Sequence, residues 1–369
     1  MTDEPIKPAG DANSWVYFDF HGLVRMRVAG SARSLPNLRD MMRPFIVPEI
    51  SGYELTVDDE PAPMLAPSHF EDHLRYTEDA VAMLGPDVQI ARTADGVRVS
   101  GTRELLTTVL PVLDWLMIER GAGMIHAATF SYKGHGVSMP AWGGVGKTST
   151  IAKLAKREGV AFMGDDWGFL SEGGTMLGYA KPMFMKPHHK PIYPHLFQGG
   201  RKPLAPKWIT KYLSSFSTLF HPIVTKYPRV AAFTRRWSPE HKMVVPADAL
   251  PTTEIATSAP LAVSVFVERS GGTQSEFTPV TEEWLVSRLV GNFHAELSRP
   301  SRDVITALGA TGFIPLEELF DKKAQVLAKA VSEKPAFLLR VPAAWSADRA
   351  SDDIVTHLFE ALEAAGVPT

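Results

Sequence analysis

A chain of 369 residues, 45% hydrophobic and 21% charged, has the length for two domains or one elaborated domain and the balance of an ordinary soluble globular protein. It contains no cysteine, which excludes a disulfide framework and any cysteine-ligated zinc site. The net charge of −3 is unevenly spread: residues 173–239 hold 11 Lys or Arg and no Asp or Glu.

Residues 1–14 are polar and lack an apolar targeting core. They read as a disordered lead-in, and the expected location is cytoplasmic. Residues 14–28, SWVYFDFHGLVRMRV, carry two apolar runs around His21-Gly22 and predict a β-hairpin. A short helix and extended chain are expected over 35–48, and strands over 53–57, 88–92 and 96–100, the last two joined by a TADG turn. Residues 102–120 have helical spacing at Leu105, Val109, Val112, Leu116 and Ile118. The apolar run 105–118 contains Asp114 and is too short to span a bilayer, so no transmembrane segment is expected. Residues 15–120 thus read as a small N-terminal α/β domain with no obvious chemistry.

From residue 121 the pattern changes. Strands are expected over 124–132 and 137–139, a glycine-rich loop follows at once, and a helix over 148–158 leads to a buried strand over 160–163. Farther on, 261–268 and 336–341 read as strands, and 281–293, Leu316–Val331 and 352–365 as helical. The segment 173–239 holds nine prolines and 11 aromatic residues, which disfavours long helices there.

The loop AWGGVGKTS, 141–149, fits G-x-x-x-x-G-K-[ST] except that Ala141 takes the first position. Alanine is tolerable there if its backbone angles are ordinary. Gly143, Gly144 and Gly146 let backbone N–H groups approach phosphate, and the helix beginning near Lys147 turns its positive end toward the same place. Lys147 supplies a mobile charge, Thr148 offers a hydroxyl to magnesium, and Val145 and Ser149 complete the nucleotide-contacting stretch. Asp165 and Asp166 end the strand after the loop helix, where one carboxylate can hold magnesium and the other can accept a hydroxyl proton. His126, in MIHA, lies on a strand expected to pair with the one feeding the loop, which would bring its imidazole to the acidic pair.

The order and spacing of MIHAATFSYKGHG, AWGGVGKTS and FMGDDW resemble the catalytic core of the HPr kinase/phosphorylase group, related to phosphoenolpyruvate carboxykinases. The resemblance is strong over 124–168 and weaker, in AVSVFVER and PAFLLRVP, toward the end of the chain. It implies an α/β fold: a mixed-sheet P-loop kinase domain over 121–369 behind the small N-terminal domain. It implies ATP and Mg²⁺ held by Lys147 and Thr148, Asp165 as the base that activates an acceptor hydroxyl, His126 as the partner of that base, and Asp166 on the metal side. Two departures point to a divergent relative with a different acceptor. Ala-Trp-Gly-Gly replaces the usual Gly-x-Ser-Gly start, and the glutamate of the family's later signature has no counterpart within 173–239.

The expected function is therefore ATP- and magnesium-dependent phosphoryl transfer to a hydroxyl, on a protein or peptide serine or on a small molecule. The competing reading is a nucleotide-binding switch or ATPase without a dedicated acceptor. Relatives of this kind often assemble, so a homo-oligomer stays open. The basic segment has several readings: a cover that clamps anionic phosphates, a solvated basic face, or a nucleic-acid or membrane surface. No nucleic-acid module is evident, and no nucleic-acid partner is expected. His188-His189 lack an evident partner carboxylate for a metal, and the cluster Asn292-Phe293-His294-Ala295-Glu296 has no assigned role. Trp142, inside the loop, is a candidate shield for the nucleotide.

Overall fold

The computed structural model describes residues 14–60, 69–70, 73–102, 105–185, 189–190, 192–197 and 242–369. The expected lead-in lies, apart from Ser14, outside the described residues. The fold is α/β with mixed sheets.

The first sheet begins with the expected hairpin, β1 (Trp15–Phe20) and β2 (Val24–Ala29), in register from Trp15↔Ala29 to Phe20↔Val24. His21, Gly22 and Leu23 make the loop, in which the Leu23 N–H closes on the Phe20 carbonyl at 3.1 Å and His21 and Gly22 take positive φ of 58° and 73°. Alternate residues Phe18, Phe20, Val24, Met26 and Val28 are buried, as a strand with one face on the core requires. After α1 (Leu35–Met41) and a 3₁₀ turn (Arg43–Phe45) come β3 (Ile46–Val47), β4 (Leu55–Asp58), β5 (His69–Phe70), β6 (Leu74–Tyr76), β7 (Ala80–Met83), β8 (Val88–Thr93) and β9 (Gly96–Gly101). Their order is β3-β1-β2-β4-β9-β8-β7-β6-β5. Strands β5 to β7 were not expected; at two to four residues each they are too short to show a period. Helix α2 (Leu106–Glu119) follows as expected.

The second sheet contains β10 (Ala122–Ile125), β11 (Ala127–Tyr132) and β12 (His135–Pro140), then α3 (Lys147–Leu154), β13 (Val160–Gly164), β14 (Gly168–Ser171) and β15 (Thr175–Leu177). The single strand expected over 124–132 is in fact two strands broken at His126: β10 pairs with β14, whereas β11 pairs with β12 and β13. Beyond β16 (Met183–Met185), β17 (Lys242–Val244) and α4 (Pro246–Ala249) lie β18 (Glu254–Ile255), β19 (Ser258–Ser270), β20 (Glu276–Pro279), α5 (Glu282–Glu296), α6 (Arg299–Ala310), α7 (Leu316–Val331), β21 (Ala336–Pro342) and α8 (Ala347–Ala364). The sheet runs β10-β14-β15-β19-β12-β11-β13-β18, with β21 beside β19 and β20 beside β21. Helix α6 was not expected. Its Pro300 reads as a breaker but stands in the first turn, where a missing N–H is harmless, and Ser298 caps the Ser301 N–H.

Among the described residues, those up to Lys181 and Thr252–Thr369 form one compact unit, and those within Pro182–Pro251 another. In the larger unit, front-sheet residues such as Phe18, Val57 and Val99 share one apolar cluster with Trp167, Phe169, Tyr179 and Phe293, so packing is continuous across the boundary expected at 120/121. The hairpin turn joins this core: His21 Nε2 bonds the Gly178 carbonyl at 2.9 Å. The smaller unit contains the antiparallel ribbon β16–β17, a 3₁₀ turn (Pro194–Phe197) and α4. Of the basic residues of 173–239, Lys181 and Lys190 are described. Lys186, Arg201, Lys202, Lys207, Lys211, Lys226, Arg229, Arg235 and Arg236, with His188, lie outside the described residues, and so does most of the proposed basic cover. Among the described residues no helix is long and apolar enough to cross a membrane.

Asp114, the acid inside the apolar run of α2, has a specific task. It accepts the Met124 N–H at 2.9 Å and the Lys323 ammonium at 2.7 Å, and that ammonium lies 3.3 Å from the centroid of the Phe293 ring. Burial pulls the Lys323 pKa down and Asp114 opposes it. Removing one partner of such a pair strands the other charge. Asp114→Ala is expected to lower stability by about 3–5 kcal/mol, and the combined Asp114→Asn/Lys323→Met change to recover more than half of that, measured as urea unfolding midpoints and slopes.

Candidate active site

The strand pairing decides where the chemistry falls. Strand β11 runs antiparallel to both β12 and β13, so β12 and β13 are parallel to each other and their carboxyl ends lie at one edge. The glycine loop leaves β12 there, Asp165 and Asp166 leave β13 there, and His126 sits at the start of β11. Both neighbouring chains break at this level: Ile125 pairs with Gly168 and Thr129 with Gly164, and between them Ala127 N–H bonds the Asp166 carbonyl at 3.2 Å. The histidine and the acidic pair therefore face each other across a double interruption of the sheet.

The loop has the geometry that its glycines allow. Gly144 and Gly146 take φ of 79° and 117°, which a side chain would strain, and α3 begins directly after Gly146. Ala141 is fully buried, bridges Val267 in parallel fashion, and is absent from the positive-φ residues, so alanine is compatible with the first position. Val145 and Ser149 are buried beneath the loop.

Lys147 is drawn inward. Its Nζ donates to His126 Nε2 at 2.7 Å and to the Ala141 carbonyl at 2.9 Å, with the Trp142 carbonyl at 3.5 Å. Burial lowers its pKa, against the pull of Asp166, Asp165 and Glu296. The lysine contact makes Nε2 the acceptor and places the imidazole proton on Nδ1. That N–H faces Asp166 Oδ1 at 3.4 Å without meeting hydrogen-bond geometry and has no other partner. Burial, then the Lys147 charge, brings the His126 pKa down to about 4, so the ring is neutral at pH 7. Trp167 packs edge-on against it at 5.2 Å and continues to Phe293 at 5.3 Å.

The two aspartates separate in role. Thr148 Oγ1 donates to Asp165 Oδ2 at 3.1 Å, whereas Asp166 Oδ2 holds Lys181 Nζ at 2.8 Å. Burial, then the neighbouring Asp166 charge, pushes the Asp165 pKa up to about 6. Burial acts in the same direction on Asp166, but Lys181, His126 and Lys147 together hold it below the usual carboxylate value. One expectation is corrected here. His126 faces Asp166 and not Asp165, because Asp166 is the residue level with the break at Ala127. Thr148, expected on the metal side with Asp166, contacts Asp165.

Helix α5 adds residues that had no expected role. Asn292, fully buried, donates from Nδ2 to the His126 carbonyl at 3.2 Å and to the Ala141 carbonyl at 3.4 Å. One turn later Glu296 Oε1 accepts the Gly143 N–H at 2.7 Å, and its Oε2 lies 3.9 Å from His126 Nε2. The only sequence signal was a polar cluster near a helix end. Lys181 was visible as the first cation of the acid-free segment. Trp142 meets Phe266 edge-on at 6.2 Å.

No family model matches this chain, and no curated protein matches it.

The raised Asp165 pKa has a consequence for stability. Its folded-state value of about 6 lies above the ordinary 3.8, so the protonated form is favoured by folding, and stability present at pH 3.8 is lost as pH rises through 6. Asp165→Asn keeps an acceptor for Thr148 and removes the charge. At pH 8 it is expected to stabilise the protein by about 1–2 kcal/mol, allowing for partial exposure, and at pH 4 to change stability little, read from chemical unfolding at both pH values.

Proposed function

We propose that the protein is a magnesium-dependent kinase that moves the terminal phosphate of ATP to a hydroxyl group. The observation that carries this reading is the meeting, at one sheet edge, of a glycine loop at a helix N-terminus, an inward lysine and a carboxylate whose pKa is raised to about 6. The amides of residues 143–149 and Lys147 hold the polyphosphate. The acceptor is a serine of a protein or peptide, or a small molecule.

Magnesium suits the donors beside the loop, which are oxygens: the Thr148 hydroxyl and the carboxylates of Asp165 and Asp166. Among the described residues no three His, Asp or Glu side chains converge to hold an ion by themselves, so the ion would arrive with the nucleotide. Thr148 would hold the ion directly and the aspartates its waters. When bound, magnesium neutralises charge on the phosphates.

In the transfer step the acceptor oxygen bonds to the terminal phosphorus, and the bond from that phosphorus to its bridging oxygen breaks. The hydroxyl proton goes to the Asp165 carboxylate, and the bridging electron pair leaves with ADP. Asp165 suits the base because its pKa lies near neutrality, so it is ionised at pH 7 and still retains a proton well. Asp166, ionised and held by Lys181, lies beside the neutral His126. His126 in turn positions Lys147.

Two outcomes test the reading. Asp165→Asn is expected to reduce transfer of labelled phosphate from ATP by about 10²–10⁴-fold with little change in nucleotide affinity. A phosphorylated species in lysate separates a kinase from a nucleotide switch, which would release only inorganic phosphate. In the wild type, kcat/KM is expected to fall as pH drops through about 6, because the protonated carboxyl no longer accepts the hydroxyl proton. His126, at about 4, stays neutral through that window.

A further inference from the structure

Glu296 binds a backbone amide of the glycine loop, whereas Asp165 meets the loop at the Thr148 hydroxyl. Its Oε1 takes the Gly143 N–H at 2.7 Å, a loop amide of the kind that would otherwise meet an anionic ligand. It is also the last residue of α5, where the helix dipole disfavours a negative charge, so its position does not serve the helix. One turn earlier, Asn292 bonds both ends of the chain it faces, the His126 carbonyl and the Ala141 carbonyl. The helix is thereby pinned to the base of the loop and presents Glu296 to Gly143. Lys147 is meanwhile engaged by His126 and two loop carbonyls. Both the amide and the ammonium that a terminal phosphate would use are thus occupied by groups of the protein.

We infer that Glu296 is a phosphate stand-in: its carboxylate occupies the loop subsite taken by the terminal phosphate of the donor and leaves when that donor binds. The inference rests on the nucleotide-site reading above and adds to it a residue that governs which nucleotide is held. Gly143 precedes the first residue of α3 by four positions, and Glu296, which accepts its N–H, also lies 3.9 Å from His126 Nε2, the acceptor of the Lys147 ammonium; Thr148, in the first turn of α3, contacts Asp165. A diphosphate seated at the helix end leaves the Gly143 amide to Glu296. A triphosphate reaches it and meets the carboxylate. Glu296 therefore lowers the affinity for ATP more than that for ADP, and it fills the loop when no donor is present.

The test is titration calorimetry of the full chain with MgATP, MgADP and magnesium pyrophosphate, on the wild type, Glu296→Ala, Glu296→Gln and Glu283→Ala. Glu283, exposed in the first turn of the same helix, removes an equal charge away from the loop. Glu296→Ala is expected to bind MgATP about tenfold more tightly and MgADP less than about threefold more tightly. Glu296→Gln keeps an acceptor for Gly143 and is expected to fall between wild type and alanine. Glu283→Ala should match the wild type. Unfolding midpoints of the four proteins show whether each is folded. If Glu296→Ala is folded and binds MgATP equally or more weakly, Glu296 is a clamp that shapes the loop and the inference is wrong while the nucleotide site stands. If Glu283→Ala gives the same gain, the effect is long-range charge and the stand-in is again wrong. If no protein of the series binds any of the three ligands, the nucleotide reading falls and this inference with it.

Discussion

Strand β11 is the constraint on which the site depends. Because it lies antiparallel between β12 and β13, those two strands end at the same edge, where β11 itself begins. That pairing brings the loop after β12, the aspartates after β13 and the histidine before β11 within reach of one another. The break at His126 then lets a buried polar ring sit where a continuous strand would have buried an apolar one. The pieces that hold this edge are themselves buried and polar: Asp114 with Lys323 beneath β10, and Asn292 against the carbonyls of His126 and Ala141.

Electrostatics explains why the proposed donor needs help to enter. Three carboxylates, Asp165, Asp166 and Glu296, stand against two ammonium groups, Lys147 and Lys181, around a neutral His126. With Asp165 ionised the set carries a net negative charge, so side-chain charge alone does not draw in a polyphosphate. Loop amides and the helix end supply part of the attraction. In the proposed reading a divalent cation arriving with the nucleotide would supply the rest, and displacement of Glu296 would relieve the repulsion that remains. Burial first, and the neighbouring Asp166 charge second, raise the Asp165 pKa to about 6, which is what would let it take a proton.

Much of this was legible in the sequence where local chemistry dictates structure. The hairpin at His21-Gly22, the loop before α3, the strand ending at Gly164 and the later strands β19 and β21 all follow from period and turn residues. What was not legible depends on pairing. Residues 124–132 read as one continuous strand, and nothing in the stretch marks that the first half pairs with β14 and the second with β12 and β13. The division of labour between Asp165 and Asp166 likewise follows from Lys181 and from the level of Ala127, neither of which spacing reveals. Glu296 lies 153 residues from Gly143. Only the fold joins them, and in the sequence the glutamate was one member of an unassigned polar cluster.

A crystal structure with magnesium and a non-hydrolysable ATP analogue is the most direct measurement. The phosphates should lie on the amides between Gly143 and Ser149, with the Lys147 ammonium moved from His126 onto a phosphate oxygen and the metal against Thr148. A loop without phosphate at saturating analogue, or an analogue bound away from the two aspartates, would contradict the assignment of this sheet edge as a phosphoryl-transfer site.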